Sequence, residues 1–234
     1  MEIQERVREV QRRLVRAAAA AGRDPGEIIL CAATKTQDQA AIRAAVAAGI
    51  TVCGENRVQE LTAHLEEGAY GGAQVHFIGR LQTNKVSKVV GRAALIHSVD
   101  SLRLLQTIES QAARLGAVQD ILLEINIGGE ASKGGIPPSQ AEEMARTAAG
   151  MEHIRLRGLM AIPPVSAAPG GGRHFFAEMY QLFVDIRKKM SDNQGIDCLS
   201  MGMSGDFEDA IAEGATLVRV GTALFGPRPP VRTV

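Results

Sequence analysis

The strongest constraint on this 234-residue chain is a repeated alternation of two hydrophobic periods. Short apolar runs rich in Val, Ile, Leu and Ala occupy 28–34, 51–54, 75–79, 94–99, 120–126, 154–160, 197–200 and 216–220, each followed by a stretch of helical spacing. Helices are predicted at 37–48, 56–67, 83–90, 101–115, 138–149, 174–190 and 205–213, with Gly49, Gly116, Gly150 and Gly214 as C-terminal stops. Strict alternation makes neighbouring strands parallel and their crossovers right-handed. Eight such strands at this length predict an α/β fold, a single (β/α)8 TIM barrel forming one domain over 1–234. The first strand lacks a following Gly-x-Gly-x-x-Gly, which argues against an open doubly wound sheet. Ahead of the barrel, Ile3, Val7, Val10, Leu14 and Ala17 or Ala18 recur at helical spacing and predict an extra amphipathic helix over 2–21.

Charge narrows the partners. Lys+Arg and Asp+Glu number 26 each, so nothing favours a polyanion, and nucleic acid is not expected as a ligand. Cys31, Cys53 and Cys198 are odd in number and widely spaced, which signals neither a disulfide framework nor a metal cage. They read as buried strand residues in a reducing compartment. The N-terminal segment carries acids where a signal peptide has an apolar core, and no apolar run is long enough to span a bilayer, so the expected location is the cytoplasm.

Chemistry concentrates at predicted strand ends. Lys35 closes the first strand, and an amine there can condense with a carbonyl. Its unperturbed pKa of about 10.4 leaves little free amine at neutral pH, unless desolvation at a barrel mouth lowers it. Ser200, Met201, Gly202 and Ser204 lie at the end of strand seven, and Arg219, Gly221 and Thr222 at the end of strand eight, where barrels of this class recurrently bind phosphate. Taken singly these residues read as a helix cap, a turn and a surface ion pair. Taken together they equally describe an anion site. A phosphorylated carbonyl compound such as pyridoxal phosphate satisfies both Lys35 and this corner. Asn56 reads first as the cap of the following helix, although Asn56, Gln82 and Asn84 also carry groups to bond a ligand or orient Lys35. Ser132-Lys133-Gly134-Gly135 either admits an anion or turns the chain. The Pro/Gly-rich stretch 163–173 is a lid or a plain surface connection. His76 and His97 sit on strands without ligand-spaced partners, His64, His153 and His174 read as peripheral, and no metal site is expected.

From about Ile28 to Gly226 the chain resembles the pyridoxal-phosphate-binding homeostasis family, also called the proline synthetase co-transcribed family. The resemblance is carried by Ala33-Thr34-Lys35-Thr36, Gly54-Glu55-Asn56-Arg57-Val58-Gln59-Glu60, His76-Phe77-Ile78-Gly79-Arg80-Leu81-Gln82-Thr83-Asn84-Lys85 and His97-Ser98-Val99-Asp100-Ser101. Further along it is carried by Ser132-Lys133-Gly134-Gly135, Gly158-Leu159-Met160, Leu199-Ser200-Met201-Gly202-Met203-Ser204 and Val218-Arg219-Val220-Gly221-Thr222. The resemblance implies a barrel similar to the N-terminal domain of alanine racemases. It implies pyridoxal 5'-phosphate as cofactor, held as a Schiff base on Lys35, with Ser204, Gly221 and Thr222 as the phosphate clamp and Arg219 facing the pyridine nitrogen. Asn56, Ser200 and Met201 complete the expected cofactor-binding set. Arg57, Arg80 and Gly205 depart from the family pattern and put rim contacts in question.

The expected function is cofactor storage and delivery in vitamin B6 homeostasis, with transient contact to apo-enzymes and a monomeric state. Arg219 disfavours ring protonation, and neither Tyr70 nor Tyr180 lies at a strand end to act as a second acid/base. An amino-acid racemase using Lys35 and a Schiff-base aldolase without cofactor are the competing readings.

Overall fold

In the computed structural model, which describes residues 2–130, 134–164, 170–190 and 195–227, the apolar runs become strands. They are β1 Ile29–Ala33, β2 Val52–Glu55, β3 Gln74–Phe77, β4 Leu95–Val99, β5 Gln119–Ile125, β6 Ile154–Ala161, β7 Cys198–Ser200 and β8 Leu217–Val220. They pair in sequence order, all parallel, and β8 returns to β1 to close the barrel. Inside it Cys31, Ala33, Val52, Ile78, Leu95, Leu122, Met160, Cys198 and Leu217 form one buried cluster. The alternate residues pack outward against helices, as the period of two requires.

The helices are α1 Ile3–Ala20, α2 Gln39–Ala47, α3 Val58–Glu66, α4 Leu102–Leu115, α5 Ala141–Ala149, α6 Arg173–Lys189, α7 Phe207–Ala212 and α8 Thr222–Phe225. The four-residue α8 is too short to cover the seam between β8 and β1. The leading helix α1 does so, burying Val7, Val10, Leu14 and Ala18 and packing on α7, α8 and α2. Arg13 of α1 stacks on the Phe207 ring at 4.7 Å and donates to Glu208 Oε1 at 2.6 Å.

Two expectations need correction. Residues 83–90 form a 3-10 helix at Thr83–Lys88, not an α-helix; buried Val86 and Val89 stand three apart, which suits three residues per turn. The helix expected at 205–213 starts only at Phe207. Gly150 and Gly116 end α5 and α4 as expected, the first at an ordinary φ of −83° and the second in the left-handed region at φ 60°.

One glycine is demanded by the sheet. At the register shift between β5 and β6, Gly158 adopts φ 148°, and a Cβ there would lie 1.8 Å from the Cys198 carbonyl oxygen.

Candidate functional site

β1 sets the position of Lys35. Cys31 and Ala33 point into the barrel, and Lys35 continues that parity beyond the strand, half-buried at the carboxyl-end mouth. The chain then turns sharply, because Thr36 takes φ 63°, a conformation that costs a β-branched residue about 1–3 kcal/mol. Thr36 Oγ1 donates to the Lys35 carbonyl at 2.6 Å, and the Thr36 N–H reaches Glu60 Oε2 at 3.3 Å.

A cavity of about 280 Å³ opens there, lined by Lys35, Asn56, Ser204, Arg219, Gly221 and Thr222 together with Ile78, Ile162, Met203 and Phe225. A neighbouring compartment of about 260 Å³ shares Asn56, Ile78 and Ile162 and adds Arg80, Glu124 and Asn126. Wider clefts lie against α1 and at the amino ends of the strands, with volumes of about 630 and 760 Å³. Neither contains a lysine, so size does not identify the site.

Six of the eight residues expected to bind cofactor therefore meet in one cavity: Lys35, Asn56, Ser204, Arg219, Gly221 and Thr222. Ser200 and Met201 are fully buried and are not on its wall. Ser204 does not cap α7, which begins three residues later behind Asp206. Its Oγ instead accepts from the Gly221 N–H at 3.1 Å and the Ala223 N–H at 3.3 Å, so it closes the first turn of α8. Asn56 does not cap α3 either. Arg57 holds that position, and the buried Asn56 Oδ1 has no hydrogen-bond partner among the described residues. A buried carboxamide oxygen without a partner is costly, and the residue that carries it lies on the cavity wall. Gly79 brings Asn56 there: a Cβ at Gly79 would stand 2.1 Å from the Asn56 carbonyl oxygen.

Arg219 is 5% exposed and spans two strands. It donates through Nη2 to the Ala161 carbonyl at 2.9 Å and through Nη1 to Ser200 Oγ. In the neighbouring compartment the Glu124 carboxyl is raised above its ordinary value by burial and then by Asp100, against the lowering effect of Arg219 and Arg80.

Two groups of residues escaped the sequence reading. Glu55, fully buried, accepts through Oε1 from Thr34 Oγ1 at 2.6 Å, His64 Nδ1 at 2.9 Å and Tyr70 OH at 3.0 Å. His64 is thus buried and structural, not peripheral. His76 and His97 face each other inside the barrel at 3.0 Å, on the same inward parity as Ser200 and Arg219, and that parity was readable from the strands. The stretch 165–169 of the predicted lid and the pair Ser132-Lys133 lie outside the described residues. Among the described residues no group of three or more His, Cys, Asp or Glu side chains is placed to hold a metal ion.

The two histidines give the fold an acid limit. Burial, helped by Arg157, lowers His76 from 6.5 to about 4, and burial, His76 and Arg219 pull His97 well below 6.5. A base whose pKa is lower when folded binds fewer protons in the native state than in the unfolded chain between the two values. Its stabilising contribution is full above pH 6.5 and is lost as pH falls towards 4. His76 alone is expected to remove about 1.4 kcal/mol per pH unit across that window. Glu124, raised in the fold, acts in the opposite sense, its contribution fading as pH rises above 4.5. Urea midpoints between pH 7 and 4.5 should fall with acidity in the parent and fall less in His76→Leu. Equal slopes in the two would contradict the assignment.

With the geometry described, the relatives can be placed. The family model for the alanine racemase N-terminal domain matches residues 7–229. The chain belongs to that family. Within the family it belongs with the pyridoxal phosphate homeostasis proteins. It is 41% identical over 224 residues to the pyridoxal phosphate homeostasis protein of Aquifex aeolicus, covering 96% of this chain and 97% of the relative. It is 42% identical over 226 residues to that of Pseudomonas aeruginosa, covering 97% and 96%. Among solved structures, PipY of Synechococcus elongatus PCC7942 with PLP bound superposes with a TM-score of 0.82 at 33% identity, covering 96% of this chain and 100% of that one. The (β/α)8 barrel expected from alternation is thus the fold of this family.

Proposed function

We propose that this chain binds pyridoxal 5'-phosphate as a Schiff base on Lys35, stores it and supplies it to apo-enzymes, and has no catalytic activity of its own. The observation that carries the reading is the meeting of Lys35, Arg219 and the Ser204–Gly221–Thr222 corner in one cavity of about 280 Å³. PipY, solved with PLP bound, and the curated relatives named for pyridoxal phosphate homeostasis support it.

The residues present suit the group. Lys35 offers the amine. Ser204 and Thr222 bring two hydroxyls to a corner of the cavity where Gly221 lets the backbone approach closely, a setting fit for a phosphate. Asn56 adds a carboxamide-bearing residue to the cavity wall. When bound, the cofactor supplies an aldehyde that condenses reversibly with a primary amine and releases water. Arg219 presents a guanidinium that disfavours protonation of a ring nitrogen beside it, which weakens any use of the ring as an electron sink.

Holding is favoured over racemisation by the cavity wall itself. Among the described residues lining it there is no Tyr, His, Cys or carboxylate to serve as a second acid/base beside Lys35. Tyr70 is turned away and bonded to Glu55. The reading takes residues 1–234 as one domain acting as a monomer. The buried free thiols Cys31, Cys53 and Cys198 suit a reducing cytoplasm, and no described helix is long and apolar enough to cross a membrane.

The test has two steps. Added pyridoxal phosphate should give a visible absorption band saturating at one cofactor per chain. A protein that stays colourless overturns the reading. The loaded protein, incubated with L-alanine in deuterated water, should exchange the α-hydrogen no faster than free cofactor does. Enzyme-like turnover would favour the racemase alternative.

A further inference from the structure

Arg219 is held from behind by a buried polar relay that crosses the barrel. Its Nη1 donates to Ser200 Oγ, which lies 3.0 Å from His97 Nδ1, and His97 Nε2 lies 3.0 Å from His76 Nδ1. The four residues come from β8, β7, β4 and β3, and each is at most 5% exposed. They occupy inward positions that barrels of this class usually fill with branched aliphatic side chains. The relay ends at the opposite face, where His76 lines a cleft at the amino ends of the strands with Asp120, Arg157 and Asp197.

The guanidinium can only donate, which fixes the direction of the first bond. Ser200 Oγ accepts from Arg219, so its single proton is available to His97 Nδ1. With Ser200 donating to Nδ1, His97 carries its proton on Nε2 and donates it to His76 Nδ1, leaving the His76 Nε2–H for the amino-end cleft. Both rings stay neutral in this arrangement, in keeping with their lowered pKa values.

We infer that Ser200 and His97 are positioning residues for Arg219, orienting its guanidinium as a one-way donor that sets how the ring nitrogen of a bound pyridoxal phosphate is held. Neither touches the cavity; each acts through Arg219. The inference rests on the cofactor reading above, and deepens it by assigning Ser200 a place behind the site.

The test separates the two. Wild type, Ser200→Ala, His97→Leu and His97→Asn are loaded with pyridoxal phosphate, and the position of the visible band, the cofactor affinity and the melting temperature are read for each. Ser200→Ala and His97→Leu should shift the band and weaken binding roughly tenfold, the scale of one lost charge-assisted hydrogen bond. His97→Asn, whose Oδ1 can accept where Nδ1 did, should restore the wild-type band. Variants that melt lower but keep band and affinity overturn the inference while leaving the cofactor reading intact; a wild type that takes up no cofactor overturns that reading. In ligand-free protein, 15N chemical shifts at pH 7 should place the proton of both rings on Nε2. An Nδ1–H tautomer at His97 overturns the relay whatever the outcome with cofactor.

Discussion

Replacing Lys35 by alanine is expected to abolish the visible band and to weaken pyridoxal phosphate binding by at least about a hundredfold, a loss on the order of 3 kcal/mol. The amine makes the one covalent bond available in the cavity; what remains is hydrogen bonding from the Ser204 corner and Arg219, which a solvated phosphate and ring largely recover from water. Lys35→Arg sharpens the test. It keeps the positive charge at the mouth but has no free nucleophilic amine, so it should stay as colourless as the alanine variant. Borohydride reduction followed by peptide mass analysis checks the position. The wild type should carry the added mass on the peptide containing Lys35, and neither variant should carry it there. Reduction products confined to other lysines, such as Lys85 or Lys88 on the exposed 3-10 segment, would move the site away from the cavity.

That Lys35 could be singled out at all reflects what a barrel sequence makes visible. A parallel strand buried on both sides is a short apolar run, and eight of them alternate with segments of helical spacing. Their carboxyl ends mark the mouth, so Lys35, Arg219 and Gly221 could be placed together from spacing alone. Local patterns failed where the backbone used a different partner from the sequence neighbour. Ser204 and Asn56 each precede a helix and invite a capping reading, yet Ser204 bonds the start of α8, seventeen residues away in sequence, and Arg57 takes the capping position beside Asn56. The 3-10 segment at Thr83–Lys88 failed for another reason, since a short stretch with Val86 and Val89 three apart satisfies a helical pattern without committing to its period. Contacts such as His97 with Ser200, separated by 103 residues, arise from barrel closure. Strand parity suggests them only when every strand is read together.

Glu55 shows the same dependence on closure and carries the largest expected stability effect. One carboxylate oxygen gathers hydroxyls from Thr34, just past β1, and from the loop after α3, and a ring nitrogen from α3, tying these segments at the shoulder of the mouth. Burial, with the Glu55 charge next in order, pushes the Tyr70 hydroxyl pKa far up, so it remains a donor at all ordinary pH. In Glu55→Ala these donors lose their acceptor inside a site closed to water, and a cavity opens as well. The expected cost is about 3–5 kcal/mol in urea unfolding, a large share of the stability of a domain this size. Glu55→Gln keeps an acceptor oxygen in place and should cost markedly less, which distinguishes loss of the hydrogen bonds from general intolerance of the position. A change within about 0.5 kcal/mol for the alanine variant, the range of ordinary surface substitutions, would show that the knot does not support the fold. Because Thr34 immediately precedes Lys35, loosening it also frees the end of β1, and the surviving folded fraction of Glu55→Ala should take up pyridoxal phosphate more weakly than that of Glu55→Gln.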